Sequence, residues 1–517
     1  MIQVVEEKMK FRDKKILVVG LARSGRGAAN LLSAAGMHVT VTDKRSRSSL
    51  KEHISKLQPD VTVVTDGNPE EVFNEADLIL VSPGVPLDIP PLAYARSRGI
   101  PVIGELELAY QTVRSNEFRI MSSKVSLDGS LTGTHYSLPA FIGVTGTNGK
   151  STVTTLIDLM LKVAGCRTLL GGNIGNALTE EILKAVSDQR SAISKGLTAD
   201  SCQLNADYIV AEISSFQLET IKEFRPKVAA ILNITPDHLD RYDGMRDYID
   251  AKARIFENQT GDDYLVLNAD DPLIMELYNA KNSEMPKVLF FSRKKEVEGV
   301  YLKGGVVYIN IPDNGSKGVL HPIGHRPYAP TTSELIKSEE IKIKGVHNIE
   351  NAMAASLVAL LSGCPDKAVK DVLKSFSGLE HRLEFVEKIN GVSFINDSKG
   401  TNVGAVAKSL EGLENVVLIM GGLDKGGDFP VLQDLIEKKV KLLVLIGDAK
   451  EKIAQALGGT ARIIKVNSLT EAVEVSMANA SEGDVVLLSP GCASFDMFSD
   501  FEERGRKFKE AVRGLIR

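Results

Sequence analysis

The segment from Phe141 to Thr152 constrains this chain more than any other. An apolar run, Phe141-Ile142-Gly143-Val144, leads into Thr145-Gly146-Thr147-Asn148-Gly149-Lys150-Ser151-Thr152. The run reads as a buried strand ending at Val144, and the amphipathic stretch Thr152 to Val163 reads as the helix that follows. A strand, a glycine-rich turn and a helix in that order belong to an α/β sheet. The glycines let successive backbone N–H groups point inward, and a helix opening at Lys150 aims its positive dipole into the turn. Lys150 can then reach the β- and γ-phosphates of a nucleoside triphosphate, and Ser151 can hold Mg²⁺. The spacing is a variant of G-x-x-x-x-G-K-[ST], with Val144 at the first glycine position. Gly146, Thr147, Asn148, Gly149, Lys150, Ser151 and Thr152 are the candidate triphosphate-binding residues. The alternative is a glycine-rich turn with no ligand, and the strand and helix around it argue against that.

A length of 517 residues suggests about three domains. The net charge of −5 leaves no basic footprint for nucleic acid. Its short basic cluster, Lys44 to Arg47, suits solvated surface or a phosphorylated small molecule equally well. No apolar stretch is long enough to span a bilayer, and Met1 to Lys15 is charged, so a cytoplasmic protein without membrane insertion is expected. Cys166, Cys202, Cys364 and Cys492 lack C-x-x-C spacing, which suggests neither a disulfide framework nor a zinc site. A monomer is expected.

Apolar strands alternate with helical segments along most of the chain. Ile16 to Gly20, Val39 to Asp43, Val61 to Thr65 and Leu78 to Ser82 predict a first, Rossmann-like α/β domain over residues 1–104. A central P-loop α/β domain over 105–378 carries strands at Phe141, Ala206 to Glu212, Val228 to Asn233, Tyr264 to Asn268 and Val288 to Ser292, with helices Asn348 to Ser362 and Asp366 to Phe376. Polar stretches near 122–138, 187–205 and 312–340 read as inserted loops. The pattern restarts in a Rossmann-like third domain over 379–517. There Asn390-Gly391 joins Leu383–Ile389 to Val392–Ile395 as a hairpin, and strands follow at Val416, Leu442, Ile463 and Val485.

Polar residues gather where these strands end, which is where open α/β sheets bind ligands. Gly20-Leu21-Ala22-Arg23-Ser24-Gly25 echoes G-x-G-x-x-G with Ala22 at the second glycine, which weakens the case for a dinucleotide. Asp43 ends the next strand and could take a ribose; a UDP group or a plain tight turn both remain readings of this site. Glu212, at a strand end near the P-loop, is placed to coordinate Mg²⁺. Asp237, His238 and Asp240 end the following strand, and His238 there is either a ligand or a satisfied polar residue. In the third domain Arg382 and Lys399 are cations suited to a transferring phosphoryl group. Asn396 to Asn402, Gly421 to Lys425 and Ser489 to Asp496 are further polar loops after strands. Cys492 has no histidine beside it and reads as incidental. A nicotinamide-binding oxidoreductase and a non-enzymatic nucleotide switch are rival readings. Ala22 and the P-loop oppose the first, and the acids and cations of the third domain oppose the second.

T-G-T-N-G-K-S-T, A-E-I-S-S-F-Q-L-E, N-I-T-P-D-H-L-D-R, K-G-V-H-N to Asn351, His381-Arg382 and N-D-S-K-G-T-N together resemble the Mur ligases of peptidoglycan synthesis. Asn396 to Asn402 and Ser489 to Phe501 are similar to the members that add D-glutamate. The resemblance implies an ATP-dependent amide ligase acting on UDP-N-acetylmuramoyl-L-alanine and D-glutamate through an acyl phosphate. It implies catalytic roles for Lys150, Glu212, His238, Lys252, Arg382 and Lys399. It implies a metal set of Ser151, Glu212, His238 and Lys252, the lysine carbamylated, assigns the triphosphate-binding residues Gly146 to Thr152 to ATP, and adds Asn351, Arg382 and Asp397 to the ATP site. Arg23, Ser24, Lys44, Arg45, Gly84, Asn173 and His238 fall on the UDP-substrate surface, and Thr401, Lys425, Ser494 and Phe501 in the D-glutamate pocket.

Overall fold

A computed structural model describes residues 14–115, 138–194, 204, 206–237, 241–280, 286–312, 332–424 and 426–516. Three sheets follow one another along the chain. The first has five parallel strands in the spatial order Thr62–Val64, His38–Thr42, Lys15–Val19, Leu78–Val81, Val102–Gly104. Its central strands Lys15–Val19 and Leu78–Val81 are Val/Ile/Leu runs buried on both faces, as a sheet covered by helices requires. The chain reverses direction across the sheet between Lys15–Val19 and Leu78–Val81, which opens a crevice at Gly20. Gly20 has φ +93°, and a Cβ on Gly25 would lie 2.0 Å from the Gly20 carbonyl, so the turn and the first helix close tightly there. The fifth strand is too short to register as a periodic run.

The central sheet has nine strands, in the order Ser333–Lys337, Val306–Asn310, Gly299–Lys303, Lys287–Ser292, Tyr264–Asn268, Val228–Ile231, Ala140–Thr145, Tyr208–Glu212, Thr168–Gly172. All pairings are parallel except those made by Val306–Asn310 and Ser333–Lys337 at one edge. Helices Lys150–Val163 and Val346–Leu361 cover one face; the second is apolar nearly all round and is buried accordingly. Tyr110, Phe141 and Phe224 meet edge to face on the other side, with centroids 5.2–5.9 Å apart. Leu31 of the first unit joins this same core, and Arg26 pairs with Glu180 at 2.6 Å across the junction.

Two expected insertions are partly ordered elements instead. Helix Leu178–Ser194 runs into the 187–205 stretch, and strand Ser333–Lys337 with the turn Ser338–Glu340 occupies the end of 312–340. The polar composition of the second suits an edge strand, which needs apolar residues on one side only. Residues 122–137 lie outside the described residues.

The third sheet runs Glu384–Ile389, Val392–Asn396, Val485–Leu488, Val416–Gly421, Val440–Ile446, Arg462–Lys465. Its first pair is the expected hairpin, with Asn390 at φ +48° and Gly391 at φ +81°, as a type I′ turn demands. The remaining pairs are parallel. Val392–Asn396, Val485–Leu488 and Val416–Gly421 are neighbours, so the three loops that leave them share one edge.

Candidate active site

A cavity of about 660 Å³ opens between the P-loop and that loop edge. Strand Ala140–Thr145 delivers the P-loop at its carboxyl end, and helix Lys150–Val163 begins inside it. Gly146 (φ +152°) and Gly149 (φ +83°) make the turn possible, and a Cβ on Gly149 would come within 2.3 Å of the Asn351 amide oxygen. Asn233 stitches the loop down: its Oδ1 accepts from the Asn148 N–H at 2.8 Å, and its Nδ2 donates to the Asn148 carbonyl at 3.0 Å. The Thr147 hydroxyl donates to the Thr235 carbonyl. Ser151 and Thr152 sit in the first helical turn, with Ser151 fully buried.

Lys150 curls over the loop and donates to the Gly146 and Thr147 carbonyls at 2.8 and 2.9 Å. Burial pushes its pKa down, partly offset by Glu212. Glu212 ends the strand hydrogen-bonded beside the P-loop strand. Burial raises its pKa, but Lys399, Lys150, the nearby Ser151 hydroxyl and Arg382 outweigh that and lower it from the ordinary carboxylate value. Its Oε1 accepts from Asn173 at 2.9 Å, while Oε2 is buried with no hydrogen-bond partner. Asn148 Nδ2 and Arg382 Nε are likewise buried without partners. All three residues line the one cavity, so two orphaned donors and one orphaned acceptor converge on it.

Lys252, on helix Met245–Ala253, is 1% exposed; its amine donates to the Gly146 carbonyl at 3.0 Å and lies 4.4 Å from the Tyr248 ring centroid. Burial, with Lys150 nearby, drives its pKa well below that of an ordinary lysine. His238 and Asp240 lie outside the described residues. Asp237 lines the cavity and accepts from Asn402 of the third unit at 3.1 Å.

From the third unit, Arg382, Asp397, Lys399, Thr401 and Phe501 reach the cavity. Burial lowers Lys399 to about 8, and its ammonium lies 4.6 Å from the Phe501 ring centroid. Asp397 accepts from the Ser409 and Ser489 hydroxyls at 2.7 and 2.8 Å, and burial pushes it up to about 6. Ser494 is buried in the neighbouring loop, away from the cavity wall. Lys425 lies outside the described residues.

Arg23 stands at the cavity from the first unit and donates to the Gly175 carbonyl. Ser24, Lys44, Arg45 and Gly84 sit at the strand ends around the Gly20 crevice. Asp43 is not open to a ribose: one oxygen accepts from the Leu21 N–H at 2.7 Å, and both are engaged by Arg45. The strand-end position that suggested ribose binding serves instead to brace the turn. Three residues to which the sequence assigned no role also emerge. Asn402 makes the contact to Asp237; Arg241 joins Glu219 to the Pro83 carbonyl over the Phe216 ring; Arg504 is buried among the third-unit loops. Each acts across long sequence separations, which no local pattern records.

Three family models match the chain: a Mur ligase MurD-like N-terminal domain at residues 14–104, a Mur ligase middle domain at 144–359, and a Mur ligase glutamate ligase domain at 381–492. A UDP-N-acetylmuramoylalanine--D-glutamate ligase of Geotalea daltonii is 42% identical over 511 residues, covering 98% of this chain and 99% of the relative. One from Thermoanaerobacter is 41% identical, covering 98% and 100%. Among solved structures, a UDP-N-acetylmuramate-alanine ligase from Thermotoga maritima superposes with a TM-score of 0.54 at 18% identity, covering 97% of this chain and 99% of that one. It shares the fold.

Proposed function

This chain belongs to the Mur ligase family, and we propose that it joins D-glutamate to UDP-N-acetylmuramoyl-L-alanine at the expense of ATP, in peptidoglycan precursor synthesis. Direct attack of an amine on a carboxylate would have to expel oxide. The substrate carboxylate therefore attacks the γ-phosphorus of ATP first, giving an acyl phosphate and ADP. The amine of D-glutamate then attacks the acyl carbon, and phosphate leaves from the tetrahedral intermediate.

The observation that carries this reading is the convergence of unsatisfied polar atoms in one cavity, from Asn148, Arg382 and Glu212. Buried donors without partners suit phosphate oxygens, and a buried acceptor without one suits a cation. Lys150, Arg382 and Lys399 surround the place where charge develops during phosphoryl transfer. Gly146 to Thr152, Asn351 and Asp397 cradle the nucleotide on this reading. Thr401 and Phe501, with Ser494 and Lys425 from adjacent loops, receive D-glutamate. Arg23, Ser24, Lys44, Arg45, Gly84 and Asn173, joined by His238, receive the UDP substrate.

Among the described residues no group of three or more His, Cys, Asp or Glu is clustered as a metal cage. The orphaned Glu212 oxygen and the adjacent P-loop hydroxyl of Ser151 are nevertheless hard oxygen donors of the kind Mg²⁺ takes alongside substrate phosphates and water. Ser151, Glu212, His238 and a carbamylated Lys252 would hold the metal, which when bound supplies positive charge against the phosphate oxygens. Lowering the pKa of Lys252 makes its unprotonated form easier to reach, and that amine can add CO₂: its lone pair bonds the carbon, the nitrogen passes a proton to water, and a carbamate anion results.

No helix among the described residues is long and apolar enough to cross a membrane, and on this reading the enzyme works as a monomer in the cytoplasm. Phosphate release with ATP, UDP-N-acetylmuramoyl-L-alanine and a panel of D- and L-amino acids tests the proposal. Stimulation by D-glutamate above all others is expected; no dependence on an added amino acid overturns it.

A further inference from the structure

Arg504 lies in helix Phe501–Gly514 and is 1% exposed, with its guanidinium spread across the loop edge of the third sheet. Nε donates to the Ser398 hydroxyl at 3.0 Å and Nη2 to the Ser398 carbonyl at 2.8 Å. Nη1 donates to the Cys492 and Ala493 carbonyls at 3.2 and 3.3 Å. A Cβ on Gly422 would lie 3.2 Å from that same Nη1, so the third loop packs on it too. Every acceptor is a hydroxyl or a backbone carbonyl, and among the described residues no carboxylate pairs with the cation. Burial lowers its pKa to about 10. Asp496 and Asp397 act on it only through space, without an ion pair, and a buried charge so weakly compensated is a poor stabilising device, for which an apolar side chain of the same volume would ordinarily do as well.

The loops it touches are tied to one another at their backbones. The Gly491 N–H donates to the Gly400 carbonyl, and Leu423 and Ala493 exchange hydrogen bonds. The Ser398 hydroxyl, which accepts from Arg504, donates to the Phe501 carbonyl at 2.8 Å. The planar fork thus fixes the spacing of the loops bearing Thr401 and Ser494 against the helix bearing Phe501. Those three residues belong to the proposed D-glutamate pocket, and the role of Arg504 rests on that proposal.

We propose that Arg504 is the positioning residue of the acidic amino-acid pocket: it touches no substrate, and by holding three loops in register it sets the affinity for D-glutamate. A lysine there keeps the charge but cannot bond Ser398 and the Cys492–Ala493 carbonyls together, because its single ammonium lacks the fork.

Arg504→Lys and Arg504→Ala would be compared with the parent enzyme by phosphate release, varying D-glutamate, ATP and UDP-N-acetylmuramoyl-L-alanine in turn. The parent, assayed with and without D-glutamate, first decides whether the activity itself is correct. Given that dependence, Arg504→Lys should raise the KM for D-glutamate roughly ten- to hundred-fold, with the other two KM values changed about threefold or less. Millimolar guanidinium chloride should lower the D-glutamate KM of Arg504→Ala by refilling the cavity, and leave the parent unchanged. If the alanine variant does not fold, the lysine variant decides alone. An unchanged D-glutamate KM in folded Arg504→Lys, or equal rises for all three substrates, would overturn the assignment.

Discussion

Arg382 donates from Nη2 to the hydroxyl of Ser151 at 3.1 Å, so the residue after the P-loop lysine is held by a cation from the segment entering the third sheet. The residues on either side of that arginine, His381 (φ +63°) and Leu383 (φ +42°), both adopt left-handed backbone, which non-glycine residues rarely do. Strain of that kind persists where surrounding contacts enforce it, and here it aims one side chain across a domain junction. Arg382→Ala should lower kcat by roughly 10²–10³-fold. Combined with Ser151→Ala, its effect should fall well short of additive, which a double-mutant cycle on phosphate release measures.

Lys150 bonds only backbone carbonyls of its own loop, so its removal should cost little stability and much catalysis. Lys150→Ala is expected to retain the parent melting temperature within a few degrees and to lose about two orders of magnitude or more in kcat. Near-normal turnover of the folded variant would remove Lys150 from the phosphate site.

Lys252→Ala should be nearly inactive, and a short carboxylic acid added to the buffer should restore part of the rate by occupying the space the side chain leaves. With ¹³CO₂, the parent should give a carbamate carbon signal that the variant lacks. A parent without that signal and a fully active variant would return Lys252 to a structural role.

Lys399, at about 8, is largely neutral in the empty site a little above that pH. A triphosphate placed beside it favours the charged form and raises the pKa, so nucleotide binding should take up a proton at about pH 8.5. Calorimetry of a non-hydrolysable ATP analogue in two buffers of different ionisation enthalpy reads that uptake. Lys399→Met should take up less; an identical proton count would exclude Lys399 from the nucleotide's surroundings.

The P-loop, Glu212 and the three sheets were legible because each is written locally, as an apolar strand followed by a polar turn. Thr168–Gly172, Gly299–Lys303 and Val306–Asn310 were not: glycine dilutes the first, and the other two are short runs parted only by Gly304-Gly305. Lys252 was singled out only through family resemblance, since one buried lysine in a helix of mixed polarity leaves no periodic trace. Asp43 misled because a strand-end acid can serve a ligand or its own turn, and Arg45 two residues on decides for the turn. Asn402, Arg241 and Arg504 depend on partners about 100 or more residues away, or on the approach of separate loops, and only the folded chain brings these together.

The contacts of Arg382 with Ser151 and of Asn402 with Asp237 bear on thrift. On the proposed reading, two of the three cations around the phosphate site, Arg382 and Lys399, come from the same unit that carries the amino-acid loops. An enzyme whose third unit stood apart would bind ATP with an incomplete set of charges and would spend it slowly on water. If the site is as proposed, fuel consumption is tied to the presence of the part of the molecule that brings in the second reactant. The safeguard against idle turnover lies in how the site is assembled, with no separate inhibitor required.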